Sequence, residues 1–189
     1  MYIDRAEWHR PRVPQGLDPA AANTHIGMFF TWLLKRNLLS YEHIDTHLPF
    51  LDGVRFKYET GAQYIVSQCR GDLETGDVYE RVEDFMLEYY RSNETLSNIG
   101  ERTYIGDYTR VLGFGLPTMY HVEDTWENFD RIVTCIDIAW FLWRERQYSA
   151  DNWMGWWAYN NGLPDGSLPD EELPDEELPE EELLSEELI

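Results

Sequence analysis

Apolar residues recur at a helical period along most of this chain, and that spacing limits what it can fold into. Phe129, Ile132, Val133, Ile136, Ala139, Trp140 and Trp143 form one continuous stripe, at steps that put side chains on a single helical face. Ile26, Phe29, Phe30, Leu33 and Leu34 form another, with Met28 and Trp32 on a second side of the same segment. A helix that is apolar on two sides belongs at the centre of a core. Val78, Val82, Phe85 and Tyr89 mark a third, acidic on its outer face. Strand patterning is scarce, with Val54 to Tyr58 the only short candidate. The expected fold is all-α (mainly α), a single compact helical bundle of about five to seven helices.

Local signals divide the chain further. Pro11, Pro14 and Pro19 punctuate residues 1–22, which read as an irregular lead-in. Asn23 or Thr24 can cap the helix that follows, and Lys35 and Arg36 suit its C-terminal end. Ser40 is expected to cap a short helix through His47, stopped by Pro49. Thr60 starts another over Gly61 to Cys69, and Gly71 to Gly76 reads as a loop. Residues 94–112 suggest helix broken by glycines, and Gly113 to Pro117 a turn. Asp124 and Glu127 have capping-box spacing ahead of the longest stripe.

From Leu163 the chain repeats every five residues, as Leu-Pro-Asp-Glu-Glu and its variants. That period fits neither a helix nor a strand, and the recurrent proline disfavours helix at the residue before it. Like charges extend the segment further. The expected organisation is therefore an acidic helical domain over 1–162 and a low-complexity, disordered acidic tail over 163–189, of which only the proline-free stretch from Glu180 could become helical on binding.

Charge narrows the partners. The chain has 36 acidic and 15 basic residues, a net −21. Twelve of those acids lie in 163–189 with no base, so residues 1–162 still carry −9. Phosphate binding needs clustered Lys and Arg, so direct nucleic-acid binding and an anionic membrane surface are disfavoured. No apolar run approaches the length of a membrane span, and Met1 to Arg5 has no signal-peptide core. The expected compartment is cytoplasmic. Cys69 and Cys135 lie far apart and are expected to be buried free thiols.

Few residues point to chemistry. His43 and His47 are four apart and share a helical face, as paired metal ligands do, with Glu42 and Asp45 nearby. They are the weak candidates for a metal; no further Cys or His sits at a supporting spacing, a polar helix surface explains them without one, and no cofactor is expected. Glu7, His9, His25, Asp107, His121, Glu123 and Asp124 could supply an acid–base pair, but nothing in their spacing says that they meet. No phosphate-binding loop or nucleophile elbow is present. Trp153, Trp156 and Trp157 either close the core or form a binding patch, since tryptophan is a favoured interface anchor. Asp170, Glu171, Glu172, Asp175, Glu176 and Glu177 of the repeats either solvate the tail or attract a cationic protein.

Thr24-His25-Ile26-Gly27-Met28-Phe29, preceded by Trp8-His9 and followed by Asp124-Thr125-Trp126-Glu127-Asn128-Phe129-Asp130, resembles an uncharacterised bacterial domain-of-unknown-function family of short, acidic, helical proteins. The resemblance covers roughly residues 2–146 and leaves the tail outside. It implies no activity and carries over no catalytic residue. Size and charge are similar to those of immunity proteins.

The leading expectation is a non-enzymatic protein-binding module, an immunity-type inhibitor that neutralises a basic bacterial toxin. Two alternatives stand beside it: a small enzyme or metal-binding protein using His25 with acidic residues or His43 with His47, and an acidic nucleic-acid mimic blocking a DNA- or RNA-binding protein. The oligomeric state is not set by the sequence.

Overall fold

The computed structural model describes residues 1–90 and 102–160, with side chains to residue 146. The chain divides into two units, Met1–Gln147 and Tyr148–Ile189, and the first holds the core. Seven α-helical segments appear among the described residues: α1 (Ala6–His9), α2 (Thr24–Lys35), α3 (Tyr41–Arg55), α4 (Gly61–Gln68), α5 (Glu80–Phe85), α6 (Tyr104–Val111) and α7 (Trp126–Asn160). The two strands, β1 (Tyr2–Arg5) and β2 (Asp72–Glu74), pair antiparallel. The mainly helical expectation holds. The pentapeptide tail, with Asp170, Glu171, Glu172, Asp175, Glu176 and Glu177, lies outside the described residues, as do the side chains of Trp153, Trp156 and Trp157 on α7.

Helix α2 is the centre of the core, as its two-sided apolarity requires. Every residue from Thr24 to Leu34 is buried. Phe29 meets Trp32, Phe85, Tyr90 and Tyr104 at ring-centroid distances of 5.4, 6.3, 4.9 and 4.9 Å. On another side Phe30 stacks on Tyr64 of α4 at 4.6 Å. There α2 and α4 approach closely, because Gly27 faces Gly61 and Ala62: a Cβ on Gly27 would lie 2.1 Å from the Ala62 nitrogen. Helix α7 reaches α2 through Trp140, 5.9 Å from Trp32, and through Asp137, which accepts the Trp32 Nε1–H at 2.8 Å and pairs with Arg36.

Five local expectations are corrected. Pro49 does not stop α3, which continues to Arg55. An interior proline costs about 3 kcal/mol, but Leu51 and Val54 beyond it are fully buried, each contributing about 1.5–3 kcal/mol. That continuation also removes Val54 to Tyr58 as a strand. Gly71 to Gly76 is not simply a loop, since it contains β2 and part of a 3-10 turn over Thr75–Asp77. Helix α7 is capped by Thr125, whose Oγ1 accepts the Asn128 N–H at 3.2 Å, rather than by Asp124.

The fifth correction is the lead-in. Residues 2–9 are β1 and α1, followed by 3-10 turns over Arg10–Arg12 and Pro19–Asn23. Register in the β1–β2 pair shifts between Tyr2 and Asp4. At that irregularity Ile3 and Asp4 are consecutive and both buried, which the alternation of a one-faced strand would not allow. It is what brings a carboxylate inward at position 4.

Candidate functional site

Three polar side chains from three elements converge beneath α2: Asp4 from β1, His9 from the end of α1, and His25 from the first turn of α2. His9 Nε2 is 2.8 Å from Asp4 Oδ1, and His25 Nε2 is 3.1 Å from Asp4 Oδ2. The two Nε2 atoms are 3.3 Å apart. His25 is 1% exposed and Asp4 5%, so these groups depend on one another and on a second ring of partners. Tyr90 donates its hydroxyl to Asp4 Oδ2 at 2.7 Å, and the Arg5 N–H donates to Oδ1 at 2.7 Å. Tyr120 Oη lies 3.0 Å from His9 Nδ1, and Tyr104 donates to the His25 carbonyl at 2.7 Å.

Charge follows from these contacts. Burial works against an ionised Asp4, yet the hydrogen bonds from His25 and His9 hold its carboxyl well below the usual range. Burial lowers His25 despite the opposing pull of Asp4, which favours a neutral ring. Tyr90 is pushed well above its ordinary value by burial and by the charge of Asp4, so it remains a hydroxyl donor.

Tyr120 connects this cluster to the surface. It lines a groove of about 560 Å³ together with Leu17, Asp18, Val66, Glu123 and Asp124. Among the described residues no lysine or arginine lines that groove, and Arg12 interacts with Tyr120 at its edge. Asp124 accepts from Thr60 Oγ1, and burial raises its carboxyl while that hydrogen bond lowers it. Thr60 also caps α4 through a capping box with Gln63.

A family model described as Domain of unknown function (DUF7832) matches residues 2–122. The chain belongs to this family. The DUF7832 match spans β1 to the 3-10 turn at Met119–His121 and includes Asp4, His9, His25, Tyr90 and Tyr120. It ends short of residue 146, so the Asp124–Asp130 motif lies past the matched part. No curated protein and no solved structure matches the chain.

The other sequence candidates scatter within and beyond the DUF7832 region. His43 is buried, with Nδ1 3.0 Å from Asp77 Oδ1 and Nε2 2.9 Å from Tyr64 Oη. His47 packs its ring 4.7 Å from that of His43, and burial followed by the neighbouring His43 lowers its pKa. His43 therefore spends both nitrogens on protein partners. Asp107 accepts from Tyr89 at 2.9 Å, Arg102 at 2.9 Å and Arg110 at 2.6 Å, an ion-paired structural node. Glu7 is exposed and pairs with Arg5 at 3.3 Å. His121, Glu123 and Asp124 line the groove. Both cysteines are free thiols and half-buried. Among the described residues, no helix is long and apolar enough to cross a membrane.

Of the acid–base candidates, then, the structure joins His9 to His25 in the buried cluster and gathers His121, Glu123 and Asp124 along the groove. Asp4, Tyr90 and Tyr120 were not among them. The available signal was Asp4-x4-His9 at the junction of a strand and a helix, which the irregular reading of residues 1–22 hid.

Proposed function

We propose that this domain is a non-enzymatic protein-binding module whose partner is a basic protein, and that the groove between the 3-10 turn at Pro19–Asn23 and α4 receives one of that partner's cationic side chains. The observation that carries this reading is the groove's lining. Asp18 and Glu123 are exposed carboxylates there, while Leu17, Val66 and Tyr120 supply apolar surface beside them. A lysine or arginine has the matching form, an apolar stem with a charged head. The net −9 of residues 1–162 would speed encounter with a basic partner and suppress acidic ones. A toxin neutralised by an immunity-type inhibitor is the partner class this charge and size suit best, and the acidic repeats would add long-range, salt-sensitive attraction.

The test is affinity capture from lysate of the source cells, with the full chain as bait. Three baits are compared at low and moderate salt: wild type, Asp18→Asn with Glu123→Gln, and a chain whose repeat carboxylates are replaced by amides. The reading predicts one basic protein held stoichiometrically by the wild type and the tail variant at moderate salt, and lost from the groove variant. Equal retention by the groove variant, or retention that vanishes with the tail charges, would refute the groove as the binding site.

A further inference from the structure

We propose that Asp4, His9 and His25 form a binding site for a divalent transition-metal ion, with Zn2+ the best-fitting occupant. One ligand atom from each residue lies within 4.8 Å of the others. The Nε2 atoms of His9 and His25 stand 3.3 Å apart, and their distances to the two Asp4 oxygens are 2.8 and 3.1 Å. Ligands about 2.0–2.1 Å from one ion stand roughly 3.0–3.3 Å from each other, depending on coordination number. The two Nε2 atoms already have that spacing, and each lies within about 0.2 Å of it from its own Asp4 oxygen, His9 from Oδ1 and His25 from Oδ2.

Hydrogen bonding alone accounts less well for the arrangement. If both Nε2 atoms carried hydrogens for Asp4, two N–H groups would face each other across 3.3 Å. An ion replaces those hydrogens and is met by three lone pairs. Metal-binding histidines bond through their second nitrogen to fix ring and tautomer. His9 does so with Tyr120 at 3.0 Å. Asp4 is held from the other side by the Tyr90 hydroxyl and the Arg5 N–H.

The donor set narrows the occupant. Two imidazoles and one carboxylate suit zinc and its first-row neighbours, whereas calcium and magnesium prefer oxygen ligands throughout. Three protein ligands leave a further position for water. The side chain of His9 is 14% exposed, against 1% for His25, so His9 marks the side of entry. Bound there, the ion would tie β1 and α1 to the central helix α2.

The experiment titrates Zn2+ into full-length protein previously stripped with chelator, against a competing chromophoric chelator, and repeats the titration with Co2+ to read coordination from its visible spectrum. One tight equivalent is expected in the wild type, with a cobalt spectrum of low coordination number. His9→Gln, at the more exposed ligand, should lose at least 100-fold in affinity, and Tyr120→Phe about 10–100-fold. His47→Gln should retain the tight equivalent. Circular dichroism confirms that each variant is folded. If His9→Gln fails to fold, the wild-type stoichiometry and cobalt spectrum still decide. Absence of a tight equivalent in the wild type, weak binding of several equivalents only, or full affinity in folded His9→Gln would each overturn the assignment.

Discussion

Replacing Gly27 by alanine should destabilise the domain strongly, although helix propensity alone favours the change. Alanine in a helix interior is better than glycine by about 0.8–1.0 kcal/mol. Here the added Cβ would sit 2.1 Å from the Ala62 nitrogen and 2.3 Å from its Cα, where carbon contacts are ordinarily about 3.5–4.0 Å. The obstruction is backbone, so no rotamer relieves it, and α2 and α4 must separate by more than an ångström. Separation would loosen the Phe30–Tyr64 stack and shift His25, two residues before Gly27, against Asp4. Overpacking costs about 1–3 kcal/mol and more where neighbours cannot yield, so we expect a net loss near 3 kcal/mol. At about 2–4 °C per kcal/mol for a chain of this size, Tm should fall by roughly 6–12 °C. Gly61→Ala should behave alike, its Cβ lying 2.1 Å from the Gly27 carbonyl oxygen. Gly76→Ala, with nothing within 4 Å of the new carbon, should stay within about 0.5 kcal/mol. Thermal and urea denaturation followed by circular dichroism measure all three. An unchanged or raised Tm for Gly27→Ala would refute the close α2–α4 packing.

Three further changes test separate parts of the account. Tyr108 is fully buried with a hydroxyl that has no hydrogen-bond partner among the described residues, so Tyr108→Phe should leave stability unchanged or raise it by about 1 kcal/mol in urea denaturation. Burial first and the Asp77 charge second push the Cys69 thiol up to about 12, so Cys69 should resist alkylation at mildly alkaline pH until the protein unfolds, as peptide mass spectrometry can follow. Burial raises the Asp124 carboxyl, so the folded state holds its proton more tightly than the unfolded chain does. Its contribution to stability is then lost as pH rises from the ordinary carboxylate value through the raised one. Asp124→Asn should therefore gain stability relative to wild type as pH rises through that window, and a constant difference across it would contradict the assignment.

The helices were legible where one physical signal acted alone. Two-sided apolarity placed α2 at the centre, and Ser40 and Thr60 cap α3 and α4 as their sequence positions suggest. The errors fall where tertiary packing overrides a local rule. Pro49 reads as a stop, but Leu51 and Val54 hold the second half of α3 in place. Asp124 reads as a cap, but it turns to Thr60 and leaves that task to Thr125. The candidate site was half legible: His9 and His25 stood out as histidines, but nothing local says that residues sixteen apart meet. Asp4 was hidden because a strand of four residues paired to one of three, with a shift in register, leaves almost no periodic trace. Tyr90 and Tyr120 passed as two of twelve tyrosines, since only contact with Asp4 and His9 sets them apart.

The claim that the groove receives cationic side chains is tested most directly by NMR. Isotope-labelled full-length protein would be titrated with a short lysine- and arginine-containing peptide, alongside the Asp18→Asn, Glu123→Gln variant. The account predicts amide shifts concentrated at Leu17 to Ala21, Val66 and Tyr120 to Asp124, saturating in the wild type and absent in the variant. Shifts spread over the surface carboxylates, or confined to the pentapeptide repeats and indifferent to the variant, would contradict it.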